Sequence, residues 1–500
     1  MGDEKIMAGE ENVGVTPEAR TESHDPDFPE AFLQFMRDGW RDVELTVSPR
    51  PEVPNYAKRR AALSAAFAGE TLVVPTGPMK VRANDTEYRF RPGSDFAYLT
   101  GDHDPDSVLV LHPAGSGHDA VLYTRPPSSR KSDEFFRSRD GELWVGRRQT
   151  LTEKSTELGL RTAPLAELES VLANCAPART RVLRGLDARV DTAVLPYEKR
   201  ASGDEFGRDR ELAAVIAEMK LLKDEWEIAQ LQTAIDATIL GFEDVARVLP
   251  ADRGVSERLL EGIFALRARH DGNDVGYGSI VGSGRNATIL HWVRNNGTTR
   301  PGELLLMDMG VEGHHLYTAD ITRTLPVSGT FTPLQRQVYD IVCASQQAGM
   351  DFIRPGVKFK DVHDTCMRVL AEGLADLGVL PVSVDEAMSR DSMLYRRWTL
   401  HGFGHMLGID VHDCAQARKE NYRDGVLGEG YVLTVEPGLY FQPEDELVPE
   451  ELRGIGIRIE DDVLVTADGA VNLSAGLPRR SDEVEAWMAA QREAGPRLPS

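Results

Sequence analysis

The sequence predicts an α/β domain followed by a larger α+β domain, and three observations point there. The chain has 500 residues, 41% of them apolar, enough for more than one core at roughly 150 residues per domain. Up to about residue 200, strand-like runs alternate with helical stretches. From about residue 275 the texture changes to short β-rich runs between Gly and Asn turns, enclosing two long helical stretches.

The elements follow in chain order. Residues 1–25 are acidic and weakly apolar, which predicts a disordered tail. Phe32, Phe35, Met36 and Trp40 fall at helical spacing, so Phe28–Trp40 reads as a short docking helix. Ala57–Phe67 predicts a helix and Thr71–Pro75 a strand. Phe96–Thr100 and Ser107–His112 predict strands, the second around the run Val108–Leu111, and Pro164–Asn174 a helix. Glu211–Leu240 reads as one helical stretch able to join two domains. Strands are then expected at Gly278–Val281, Thr288–Trp292, Glu303–Met309, Thr318–Leu325, Tyr431–Glu436 and Gly454–Val465. Helices are expected at Pro333–Met350, Lys360–Leu377 and Ser481–Ala489. The expected division is an acidic extension over 1–50, an α/β domain over 51–215, an α+β domain over 216–475, and a helix and tail over 476–500.

Charge narrows the function classes. Acidic residues outnumber basic ones by 23, and such a surface repels phosphate backbones and anionic membranes. No apolar stretch reaches the roughly 18 residues of a membrane helix, and the acidic start lacks the apolar core of a signal peptide. The four cysteines, Cys175, Cys343, Cys366 and Cys414, are far apart and form no CxxC pair, which predicts reduced thiols in a cytoplasmic protein. No GxSxG elbow and no GxxxxGK[ST] loop occurs.

The informative residues are acids placed where apolar residues belong. Asp308 follows Leu304–Met307, Glu436 follows Val432–Val435, Glu460 ends Ile455–Ile459, and Asp320 opens Asp-Ile-Thr-Arg-Thr. A lone buried carboxylate takes up a proton or finds a partner. A hairpin turning at Gly313–His315 with a three-residue loop is expected to set Asp308 opposite Asp320. Two like charges so close are destabilising unless a divalent cation accepts oxygens from both. His401, His405 and His412 lie within twelve residues, interrupted by Gly402, Gly404 and Gly408. These glycines argue against a helix, and an extended segment aims His401 and His405 to one face. His314 and His315 read as solvated turn residues. Two Asp, two Glu and one His make an oxygen-rich set, suited to hard or borderline ions such as Mn²⁺. Four carboxylates carry a charge that two divalent ions would neutralise, and such a pair can activate water and polarise a carbonyl.

Several segments, in order, resemble the metallopeptidase family of aminopeptidase P, prolidase, methionine aminopeptidase and creatinase. They are Ile280–Gly284 with Ile289–His291, Met307–Gly310, Ala319–Thr324, His401–Asp413, Thr434–Tyr440 and Gly454–Asp462. The resemblance implies a pita-bread catalytic fold in which Asp308, Asp320, His405, Glu436 and Glu460 bind two metals, Mn²⁺ first and Co²⁺ or Zn²⁺ as substitutes. The spacing of twelve between Asp308 and Asp320 is one longer than usual, as a one-residue insertion in the turn would make it. Arg91 to Gly101, with Ser94-Asp95-Phe96, and Leu143–Arg148 look like the N-terminal domain of aminopeptidase P. The implied activity is release of an N-terminal residue from peptides with proline second, with a prolidase acting on Xaa-Pro dipeptides as the alternative.

By the same resemblance Glu436 orients or deprotonates the nucleophile. His291 and His412 stabilise the tetrahedral intermediate or assist the leaving nitrogen, and His401 lines the proline pocket with Tyr440. Arg458, two residues before Glu460, is expected on the same strand face, holding the ligating carboxylates. Trp144 is expected at the substrate pocket, reached from a neighbouring subunit, which implies a homo-oligomer, dimer or tetramer.

Overall fold

The computed structural model describes residues 28–84, 86–138, 140–176, 179–194 and 205–499. The acidic tail expected over 1–25 lies outside them.

The N-terminal half is built on a mixed five-stranded sheet. Its strand order is Arg161–Pro164, Gly117–Thr124, Val108–Ala114, Thr71–Pro75, Thr180–Val182. Alternate side chains of these strands feed two separate cores, as the strand period of two requires. Leu72, Val74, Leu109, Leu111 and Leu122 pack with Leu63, Phe96 and Leu99. Val73, Val108, Val110 and Val121 pack on the opposite face with Leu168, Leu172 and Val190. Ahead of this domain the helix Glu30–Arg37 docks, with Phe28, Leu33 and Met36 against Phe135 and Phe136.

The second half carries two three-stranded sheets and two two-stranded ribbons, one of them pairing Asp274–Val275 with Val311–Glu312, with helices outside. In one sheet Leu304–Met309 lies between Ile321–Pro326 and Ile280–Ser283. In the other Asp461–Thr466 lies between Val432–Val435 and Gly469–Asn472, and the second ribbon pairs Gly438–Tyr440 with Gly456–Arg458. Helices Glu225–Val248, Pro333–Phe352 and Phe359–Asp376 cover this assembly. The last helix, Ser481–Ala494, buries Val484 and Met488 in the same core.

Four expectations about elements and their pairing are corrected. Phe96–Thr100 is part of a helix, Ser94–Thr100, closed by Gly101 at φ 68°. All five residues are nearly fully buried, so the run has no polar contrast to reveal its period. Thr288–Trp292 is not a strand: a 3₁₀ turn covers Gly284–Thr288 and Trp292 donates its Nε1–H to Glu257 Oε2 at 2.8 Å. The stretch Glu211–Leu240 is two helices, Glu205–Met219 and Glu225–Val248, broken where Asp224 caps the second with a reciprocal Glu227 bond.

The fourth correction concerns register. Asp308 faces Thr322, not Asp320. The turn is centred one residue later than expected, because Gly313 N–H bonds Tyr317 O and leaves His314-His315-Leu316 as the loop. Leu316 adopts φ 69° there and is fully buried; burying it outweighs the glycine preference for that conformation. Moving a turn centre by one residue shifts pairing by two, which preserves faces. Asp320 therefore sits diagonal to Asp308, on the same side. His315 is not a freely solvated turn residue, since its ring packs 5.2 Å from that of Trp226.

Candidate metal centre

Each acid is delivered by a strand end. Asp308 lies near the end of its strand, Asp320 just precedes Ile321–Pro326, Glu436 just follows Val432–Val435, and Glu460 occupies the break between Gly456–Arg458 and Asp461–Thr466. The segment from His401 to His405 is non-helical, as its glycines require, and lies against the strand Val432–Val435. A Cβ at Gly404 would stand 2.0 Å from Thr434 O, so only glycine permits that approach.

These elements converge on a cavity of about 540 Å³. Asp308, Asp320, His405, Glu436, Glu460, His291, His401, His412 and Arg458 all line it. His405 Nε2 stands 3.3 Å from Asp320 and 3.5 Å from Glu436. His401 Nδ1 is 3.5 Å from the other Glu436 oxygen, and its Nε2 is 2.8 Å from Tyr440 Oη. The His405 and His412 rings lie 4.4 Å apart, nearly perpendicular.

Arg458 ties the acids to the scaffold. It donates to Asp308 Oδ2 at 2.6 Å, to Tyr440 Oη at 2.9 Å and to Thr322 Oγ1 at 3.2 Å. Thr322 in turn donates to Glu460 Oε2 at 2.6 Å. Arg458 thus lies on the face that carries the acids. Sequence reasoning missed Tyr277, whose hydroxyl contacts Asp308 Oδ1 at 2.7 Å and also Asp320 Oδ1. Its only signal was a place at the head of a glycine-rich run that leads into the strand Ile280–Ser283. Trp144 is not at the cavity of its own chain. It is 62% exposed on the short helix Glu142–Val145, and its Nε1–H donates to Phe136 O.

The electrostatics leave a deficit of positive charge. Burial raises the Glu460 carboxyl well above its usual range, with Asp320, Glu436 and Asp308 adding to the rise. Asp320 is raised by burial and then by Asp308, and Glu436 by burial. Burial alone would lower His405, but Asp320 and Glu436 offset it and push the imidazole up to about 9. Burial, helped by Arg458, brings His401 down to about 3.

A divalent cation fits this donor set. Asp320, His405 and Glu460 each offer one ligand atom, all within 4.8 Å of one another. The single proton of Tyr277 cannot satisfy two carboxylates at once. His405 Nδ1 faces Met406 O at 3.2 Å, and a proton held there leaves the Nε2 lone pair aimed at the acids. That orientation suits a ligand to a cation, in whose place the acids otherwise draw a second proton onto the ring.

The sequence matches the profile of Metallopeptidase family M24 over residues 229–467 and that of Aminopeptidase P, N-terminal domain, over residues 56–183. It is 53% identical over 466 residues to Xaa-Pro aminopeptidase 1 of Streptomyces coelicolor, covering 93% of each chain. To Xaa-Pro aminopeptidase of Escherichia coli it is 36% identical over 455 residues, covering 87% of this chain and 97% of the other. Among solved structures it is similar to aminopeptidase P from E. coli with the inhibitor Pro-Leu. That match has a TM-score of 0.78 at 34% identity, over 89% of this chain and all of the other. Two matched domains in the same order and likeness along nearly the whole length place this chain in the M24 metallopeptidase family, in the branch that sets an aminopeptidase P N-terminal domain before a pita-bread catalytic fold.

Proposed function

We propose that this protein is a metal-dependent Xaa-Pro aminopeptidase, a hydrolase that releases the N-terminal residue from peptides with proline in second place. The observation that carries the reading is the convergence of Asp320, His405 and Glu460 ligand atoms within 4.8 Å, in a cavity also lined by His291, His401 and His412. Relatives at 53% and 36% identity bear that activity as their name.

The residues that would hold the metal are Asp308, Asp320, His405, Glu436 and Glu460. The carboxylate-rich set fits two divalent ions, Mn²⁺ first, with Co²⁺ or Zn²⁺ as substitutes. When bound, such ions supply a water of lowered pKa and a Lewis acid for the scissile carbonyl.

The chain's own residues do the rest. An Xaa-Pro amide has no N–H, so the site has no amide donor to grip and must act on the carbonyl side. Glu436, between His401 and His405, accepts the proton of the attacking water. His291 and His412 offer N–H groups to the developing oxyanion or to the departing proline nitrogen. His401, kept neutral by burial and fixed by Tyr440 Oη, lines the proline pocket beside Leu290 and Val293. Arg458 holds Asp308 and Tyr440 in place. The exposed ledge Leu143-Trp144-Val145, each about half or more exposed, supports assigning Trp144 to the cavity of a second copy.

Digestion of an X-Pro-X-X peptide with added Mn²⁺, followed by mass analysis, tests the assignment. The expected product pair is free X and Pro-X-X. Release of the X-Pro dipeptide, or no cleavage, contradicts it; cleavage of Xaa-Pro in preference to Xaa-Pro-Xaa favours a prolidase.

A further inference from the structure

The loop from His405 to Asp413 carries a candidate ligand at its start and His412 near its end. It closes on itself where Asp413 N–H and His405 Nδ1 both point at Met406 O, at 3.0 and 3.2 Å. Its tip leans on the N-terminal half: Leu407 and Ile409 pack in the apolar cluster of Phe96, Leu99 and Leu111.

The same loop is seated on charged and polar groups from two other parts of the chain. Lys220, in the break between Glu205–Met219 and Glu225–Val248, has its Nζ 3.0 Å from Asp95, 3.2 Å from Asp413 and 3.7 Å from Asp410. Lys223 Nζ stands 3.4 Å from the other Asp413 oxygen. Ser94 Oγ donates to Asp410 Oδ1, and Arg91 donates to Ile409 O at 2.8 Å. Lys220, Lys223 and Asp413 are each at most 5% exposed. A Cβ at Gly408 would stand 2.1 Å from Asp413 Oδ2, so the loop wraps the carboxylate closely. A buried charge cluster is a weak source of stability, because desolvation offsets most of the attraction. What it imposes is one register, since any other leaves buried charges unpaired.

We propose that Lys220, Lys223 and the Arg91–Ser94–Asp95 corner are positioning residues that latch the His405–Asp413 loop and set His412 at the cavity. On this view the N-terminal domain acts on the reaction through the loop. The inference rests on the proposed peptidase reading for its kinetic consequences.

The test is a double-mutant cycle in the full-length, Mn²⁺-supplemented protein. Asp410 is only partly buried, so Asp410→Ala is expected to fold. It should lower kcat about tenfold, short of the roughly hundredfold that a 1 Å misplacement can cost, with KM within about twofold. In a His412→Ala background the same change should cost less than about twofold. Lys220→Met should behave like Asp410→Ala, with Lys220→Arg restoring most activity. Equal losses in both backgrounds, no loss from Asp410→Ala, or full activity of His412→Ala would each overturn the proposal. Hydrogen exchange over residues 404–413 reads the latch without substrate. Asp410→Ala should speed exchange there and leave the rest of the protein unchanged. If the unmodified protein cleaves no Xaa-Pro peptide, the peptidase reading fails, while unchanged exchange marks failure of the latch itself.

Discussion

Both halves of the molecule bury acids, and they settle them differently. In the N-terminal half Asp102 receives Lys154 Nζ at 2.8 and 3.1 Å. Glu153 receives two backbone N–H groups, from Leu45 and Thr150, and the Arg147 guanidinium. Each acid has its counter-charge or donors from the chain. In the C-terminal half Asp308, Asp320, Glu436 and Glu460 share one cavity, whose lining holds several histidines but a single guanidinium, Arg458, and no lysine, against four carboxylates. A buried carboxylate without such partners is costly. The first region is complete as a folded chain, and the second becomes complete only with cations from outside.

The largest expected effect breaks that contrast at its weak side. Asp308→Ala or Glu460→Ala should abolish turnover and cation uptake together, read by peptide hydrolysis and elemental analysis of the same sample. Wild-type activity in either variant would leave no role for the cluster. Arg458→Met removes the group that fixes Asp308 without removing a ligand, so activity or metal affinity should fall about 10- to 100-fold. A loss no larger than that of a surface Arg change would reduce Arg458 to ordinary packing.

Cation binding should also show as stability. At about 100 times its Kd, a divalent ion bound only by the folded state adds about 2.7 kcal/mol, visible as a chelator-reversible rise in Tm. An unchanged Tm would mean that the acids are already satisfied.

The smallest effect is a control on the other region. Burial would raise Glu153, but its backbone bonds and Arg147 more than offset this and bring it down to about 2, against 4.5 for a free side chain. The folded state therefore binds fewer protons than the unfolded one. The resulting stability is present above about pH 4.5 and is lost as pH falls toward 2. Glu153→Gln should flatten that acid limb, measured by denaturation at pH 2–5, and leave the cation-dependent rise in Tm untouched. An altered cation response would mean that the two regions are not independent.

Much of this was legible in the residues. Asp308, Glu436 and Glu460 stood out because an acid inside Leu304–Met307, Val432–Val435 or Ile455–Ile459 contradicts the burial that the run demands. The glycines of His401–Asp413 correctly argued against a helix. Their tight contacts with Thr434 and Asp413 lie between segments distant in sequence, and spacing carries no record of them. The Asp308 register was misplaced because burial of Leu316 is a tertiary effect that overrode local turn preference. Tyr277 was invisible for a similar reason: one tyrosine beside glycines looks the same whether its hydroxyl meets solvent or two aspartates. Phe96–Thr100 misled because complete burial removes the alternation from which a period is read.

The most direct measurement is the cation content of the active protein, determined by elemental analysis while chelator and Mn²⁺ are titrated against Xaa-Pro hydrolysis. Two divalent ions per chain, with activity rising and falling with their occupancy, is the predicted result. Full hydrolysis by a protein stripped of divalent metal would contradict the account.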